Sequence, residues 1–87
     1  MKVWEKYNIL KRRIESFKLL NFDWDSYGAE PFTDFSIIEA IRCSRFIIDR
    51  FPNVEPDDIF IAPISNGTIQ FEFNYDNFDF LISTKEE

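Results

Sequence analysis

Ile59-Phe60-Ile61-Ala62-Pro63-Ile64-Ser65-Asn66-Gly67-Thr68-Ile69-Gln70-Phe71-Glu72-Phe73-Asn74-Tyr75-Asp76-Asn77-Phe78-Asp79-Phe80-Leu81-Ile82-Ser83 is the most informative run in the chain. It holds three stretches rich in β-branched and aromatic residues, at about 59–64, 68–74 and 77–83, and turn residues separate them. Such stretches read as strands. Asn66-Gly67 between apolar runs is a strong hairpin signal, because both residues tolerate the positive φ of tight hairpin turns. A less specific turn falls around Tyr75-Asp76. The expected product is a three-stranded antiparallel meander.

Facing then sets a register. Centring the first turn on Asn66-Gly67 sets Ile64 opposite Ile69, Ala62 opposite Phe71 and Phe60 opposite Phe73. Centring the second on Tyr75-Asp76 sets Phe73 opposite Phe78, Phe71 opposite Phe80 and Ile69 opposite Ile82. One face is then wholly apolar, and a cover of helices is expected on it. The other face carries Ile59, Ile61, Pro63, Gln70, Glu72, Asn74, Asp79 and Leu81, with Glu72 directly opposite Asp79. Like charges so opposed destabilise a sheet, so an acidic patch flanked by Ile61 and Leu81 suggests a partner surface.

The rest of the chain supplies the cover. Val3, Tyr7, Leu10, Ile14 and Phe17 recur at helical spacing, so residues 2–20 read as a helix. Ile37, Ala40, Ile41, Ile47, Ile48 and Phe51 form the stripe of a second helix over about 34–51. Thr33, Asp34 or Ser36 can cap it, Ser36 with Glu39 fits a capping box, and Pro52 stops it. Between the helices, residues 21–33 mix turn formers with Phe22, Trp24, Tyr27 and Phe32, which implies a loop packed against the body. The fold class is α+β: two helices on one face of a three-stranded antiparallel β-meander, in a single domain over residues 1–87.

Composition agrees. The 87 residues are 45% hydrophobic and include eleven Phe, enough for a core without a disulfide or metal. Cys43 is the one cysteine, so an internal disulfide is excluded. No apolar run approaches the length of a membrane span, and the amino terminus does not read as a signal peptide, so a cytoplasmic location is expected. The net charge of −6 is unevenly placed: residues 1–18 carry six basic and two acidic side chains, residues 19–87 four basic and fourteen acidic. An acidic body repels nucleic acid and membrane surfaces and attracts basic proteins.

The search for chemistry finds little. There is no histidine, and two glycines make no phosphate loop. A lone cysteine without a histidine is not an assignable nucleophile. Asp23, Asp25 and Glu30 could offer oxygen ligands to a hard cation, but their spacing lacks the calcium-loop pattern and suits side chains bonded to turn amides better. Glu72 with Asp79 could form an acid–base pair, yet an open sheet face offers little to split their pKa values. Lys11-Arg12-Arg13 reads as a solvated helix face. No enzyme, cofactor or metal is expected.

Trp24-Asp25-Ser26-Tyr27-Gly28-Ala29-Glu30-Pro31-Phe32-Thr33, followed by Gly67-Thr68-Ile69-Gln70-Phe71-Glu72-Phe73, resembles a family of short bacterial proteins. That family carries W-[DN]-x-x-G-A-x-P, a helix, G-x-I-Q-[FL]-E-[FWY] and a last strand with two acidic positions. Here Asp79 keeps one and Leu81 replaces the other. Members occur as stand-alone reading frames in bacteria and mobile elements, a setting that implies antitoxins or inhibitors of defence. Gln70 and Glu72 are the motif positions that core packing does not explain.

The functional expectation is a non-catalytic binding module that presents Ile61, Gln70, Glu72, Asp79 and Leu81 to a basic protein. The alternatives are a self-associating subunit, as a homodimer through the exposed sheet face or an edge strand, and a small carboxylate-based metal-binding protein or enzyme.

Overall fold

The hairpins set the frame on which the helices pack. In the computed structural model, which describes residues 1–84, the elements are helix α1 (Val3–Glu15), a 3₁₀ turn (Ser16–Leu19), helix α2 (Asp34–Arg50), a 3₁₀ turn (Pro56–Asp58) and strands β1 (Phe60–Pro63), β2 (Ile69–Tyr75) and β3 (Phe78–Ser83). The sheet is an antiparallel meander in the order β1-β2-β3, so the α+β architecture read from the sequence is the one observed.

The first hairpin corrects the expected register by one residue. Ile64 C=O accepts from Gly67 N–H at 3.0 Å, and Ile64 N–H donates to Thr68 C=O at 2.9 Å. The loop is therefore three residues, Ser65-Asn66-Gly67, with Gly67 at φ +87° as the bulge that follows a turn. Asn66 is not in the left-handed region, so Asn66-Gly67 is not the centre of a two-residue turn. Phe60 pairs with Glu72, Ile61 with Phe71 and Ala62 with Gln70. The slip turns every β1 side chain over. Ile59 is buried and Ile61 packs on the core, whereas Phe60, expected inside, stands 64% exposed. Ile61 is thus not an outward residue, and Phe60 takes its place.

The second hairpin is displaced by two residues, which keeps the facing and changes the partners. Asp76 and Asn77, at φ +52° and +65°, form a two-residue turn with positive φ at both centres. Glu72 consequently faces Leu81, and Asp79 faces Asn74, whose Nδ2 donates to Asp79 Oδ1 at 3.0 Å. The expected opposition of Glu72 and Asp79 does not occur.

Ile59, Ile69, Phe71 and Phe73 meet Leu10 and Ile14 of α1 and Ile37, Ala40, Ile47 and Ile48 of α2 in one core. Phe51 closes its end, with ring centroids 4.9–5.2 Å from Phe73, Tyr75 and Phe80. Burying a ring the size of Phe71 contributes about 3 kcal/mol. Thr33 is the residue that caps α2, its Oγ1 accepting from Ser36 N–H at 3.1 Å. Ser36 is instead buried against the body.

The aromatic loop divides. Trp24 and Phe32 pack as tilted rings with centroids 6.0 Å apart and Phe32 lies 5.8 Å from Phe17, while Phe22 and Tyr27 project outward. Trp24 Nε1 donates to Glu30 C=O at 2.9 Å, and Glu30 N–H donates to Ser65 C=O at 2.9 Å, which fastens the loop to the first hairpin.

No described helix is long and apolar enough to cross a membrane.

Candidate functional site: the outer face of the sheet

Both helices cover the same side of the sheet, which leaves the other side open. Strand alternation places Phe60 and Ala62 of β1, Gln70, Glu72 and Asn74 of β2, and Asp79, Leu81 and Ser83 of β3 on that side. The register aligns Phe60, Glu72 and Leu81 in one row across the three strands. Phe60 is 64% exposed and Leu81 62% exposed, so a carboxylate sits between two uncovered apolar side chains. A shallow depression of ≈ 360 Å³ lies between β2 and β3 beside the Glu72–Leu81 end of the row and is lined by Glu72, Asn74, Asp79 and Leu81, with Phe73 and Phe80 beneath.

Charge is segregated between the layers. Residues 51–84 include Glu55, Asp57, Asp58, Glu72, Asp76 and Asp79 and no lysine or arginine. Residues 1–50, which form the helical layer, carry nine basic and eight acidic side chains. Glu55 and Asp57 pair with Lys6 and Arg13 of α1, and the strands with their turns, residues 60–83, carry Glu72, Asp76 and Asp79 and no lysine or arginine.

Of the expected partner residues, Gln70, Glu72, Asp79 and Leu81 lie together on this face, and Ile61 lies behind it. Phe60 was not foreseen. The signal was present in Ser65-Asn66-Gly67, which suits a three-residue loop as well as a two-residue one.

The other candidates resolve into structure. Asp25 Oδ1 accepts from Tyr27 N–H at 2.8 Å and from Ala29 N–H at 3.1 Å, and Asp23 Oδ1 accepts from Gly28 N–H at 2.5 Å. These carboxylates hold the turns that carry Asp23 and Ser26 at positive φ. Among the described residues no three His, Cys, Asp or Glu side chains group so as to hold a metal ion. Burial pushes the Cys43 thiol up to about 11, which keeps it protonated at neutral pH. Of the Lys11-Arg12-Arg13 cluster, Arg13 turns inward to Pro56 C=O and the Asp57 carboxylate, both at 2.9 Å.

Lys6, one of the six basic side chains of residues 1–18, is buried. It is 4% exposed, and its ammonium donates to Pro52 C=O at 2.8 Å and Val54 C=O at 3.3 Å, with the Glu55 carboxylate at 3.4 Å. It ties α1 to the segment that leaves α2 and enters the sheet. Tyr7 adds a second tie: its hydroxyl donates to the Asp49 carboxylate, which raises the phenol pKa above 10.0, and the Arg45 guanidinium lies 5.4 Å from its ring centroid.

Compared with protein-family models, curated proteins and solved structures, the chain matches none.

Proposed function

We propose that this protein is a non-catalytic binding module that docks a basic protein partner on the open face of its sheet. The observation that carries the reading is the row Phe60–Glu72–Leu81, apolar at both ends, acidic in the middle and set among residues 51–84, which include no lysine or arginine. Exposed apolar side chains supply the area that a partner buries. The acidic layer steers the approach of a basic surface and disfavours acidic competitors. Glu72, Gln70 and Asp79 make no contribution to the core, so their placement is free to serve recognition. The family resemblance gives the reading its most concrete form, an antitoxin-like or anti-defence inhibitor.

Capture from host lysate tests it, with wild type compared against Glu72→Lys/Leu81→Arg. Lys11→Glu/Arg12→Glu, on the helical side, is the control. Loss of one specific protein from the first variant and its retention by the second is the expected result. The same proteins on all three baits would remove this face from consideration.

A further inference from the structure

β3 is an edge strand, and the hairpin fixes which of its backbone groups are open. The two-residue turn makes Tyr75 and Phe78 a hydrogen-bonded pair, and antiparallel alternation then commits Phe80 and Ile82 to β2 as well. Thr84 keeps the same phase, its N–H donating to Ile69 C=O at 3.0 Å. The N–H and C=O groups of Asp79, Leu81 and Ser83 therefore point away from β2, along the free edge.

Edge strands usually carry a device that stops further pairing, such as shortness, a proline, a lysine or a bulge. β1 has two of these, with four residues ending in Pro63. β3 has neither: Phe78–Ser83 is six residues without Pro or Gly, and its one charged side chain is Asp79.

The helical layer also stops short of this strand. Phe78 faces the core side yet is 67% exposed, and Phe80 and Ile82 are half-buried. Between α2 and the end of β3 lies a trough of ≈ 380 Å³ lined by Glu39, Arg42, Cys43, Phe46, Ser83 and Thr84. Glu39 and Arg42 pair with each other at 3.1 Å, which leaves Cys43 and Phe46 as its apolar lining.

We infer that an extended segment of a protein partner adds to β3 as a fourth strand, with apolar side chains over the trough and basic ones on the outer face. The inference rests on the binding-module reading above and specifies how the partner is held. A strand added about 4.8 Å beyond β3 alternates its side chains between the two faces. Its outward positions come beside Asp79 and near Glu72, where opposite charge across strands is stabilising. A second copy of this chain suits the edge less well, because it would set two outer faces that each carry Glu72 and Asp79 side by side.

The test uses a synthetic peptide of about ten alternating Lys and Val residues, a strand's length. Two controls accompany it: the same peptide N-methylated at every second residue, and its Glu–Val counterpart. Amide hydrogen exchange of the full chain is followed by NMR. With the Lys–Val peptide, exchange at Asp79, Leu81 and Ser83 should slow by about tenfold or more. Phe80 and Ile82, already paired with β2, should change little. Neither control should protect the edge. Absence of that protection overturns strand addition. So does a Lys–Val peptide that binds equally well when N-methylated; if Glu72→Lys still abolishes its binding, sheet-face recognition survives while strand addition does not. Protection of the same three amides without peptide, at high protein concentration, assigns the edge to a second copy and also overturns the proposal.

Discussion

Lys6 bears more of the structure than its charge suggests. An ammonium with two carbonyl acceptors and a carboxylate nearby is a satisfied buried cation, and removing it leaves the carbonyls of Pro52 and Val54 without that donor. Hydrogen bonds to charged groups contribute about 1.5–3 kcal/mol each when measured by deletion. Lys6→Met should lower unfolding stability by about 2 kcal/mol in urea melts. Glu55→Gln should cost under about 0.5 kcal/mol, because that carboxylate is half exposed. Asp25 makes a second residue-scale case. Asp25→Ala frees two backbone amides in the aromatic loop and should destabilise by about 1–2 kcal/mol. Since that carboxylate serves a turn, millimolar magnesium, calcium or manganese should neither stabilise wild type in thermal melts nor give heat by calorimetry. A cation-dependent rise in melting temperature that Asp25→Ala abolishes would restore the metal reading.

At the scale of elements, the two hairpins decide which side chains reach the outer face, and each has its own test. A Cβ at Gly67 would meet no atom within 4 Å, so Gly67→Ala carries only the backbone cost of φ +87°. Destabilisation of about 1 kcal/mol is the expected result. Asn77→Gly gives a test of sign. At the second centre of the turn, where φ is +65°, glycine should be neutral to stabilising by about 0.5 kcal/mol. Were Asn77 the first residue of a strand, the same change would destabilise by about 0.5–1 kcal/mol. These turns also explain what could be read in advance. Helices, strands and the single apolar sheet face follow from periodicity, because the helical stripes and β2 alternate cleanly. β1 does not alternate. Ile59, Phe60, Ile61 and Ala62 are apolar on both sides, so either register buries something acceptable, and the pattern could not choose between a two-residue and a three-residue loop. The identity of Phe60 and Ile61 as outward and inward residues was lost there. Gln70, Glu72, Asp79 and Leu81 were legible because β2 and β3 keep their parity under a shift of two. Lys6 was not, since its partners are backbone carbonyls forty-six and forty-eight residues away.

Across the whole molecule, the layers differ in charge as well as in structure. The helices bring nearly balanced charge, and the sheet brings only acid among residues 51–84. Opposite signs within a chain can serve packing alone, and Arg13 with Asp57 and Lys18 with Asp34 show that use between elements. The outer face is different: among the described residues neither Glu72 nor Asp79 pairs with a cation, and exposed apolar side chains flank the row. That combination suits recognition of a basic partner, and long-range attraction makes such recognition sensitive to salt. The most direct measurement is the affinity of the captured partner for wild type and for Glu72→Lys/Asp79→Lys, each at low and high ionic strength. Weaker binding in the variant, by about tenfold or more, with a shallower dependence on salt is the result expected of an acidic docking face. Equal affinity and equal salt dependence in the two proteins would contradict it.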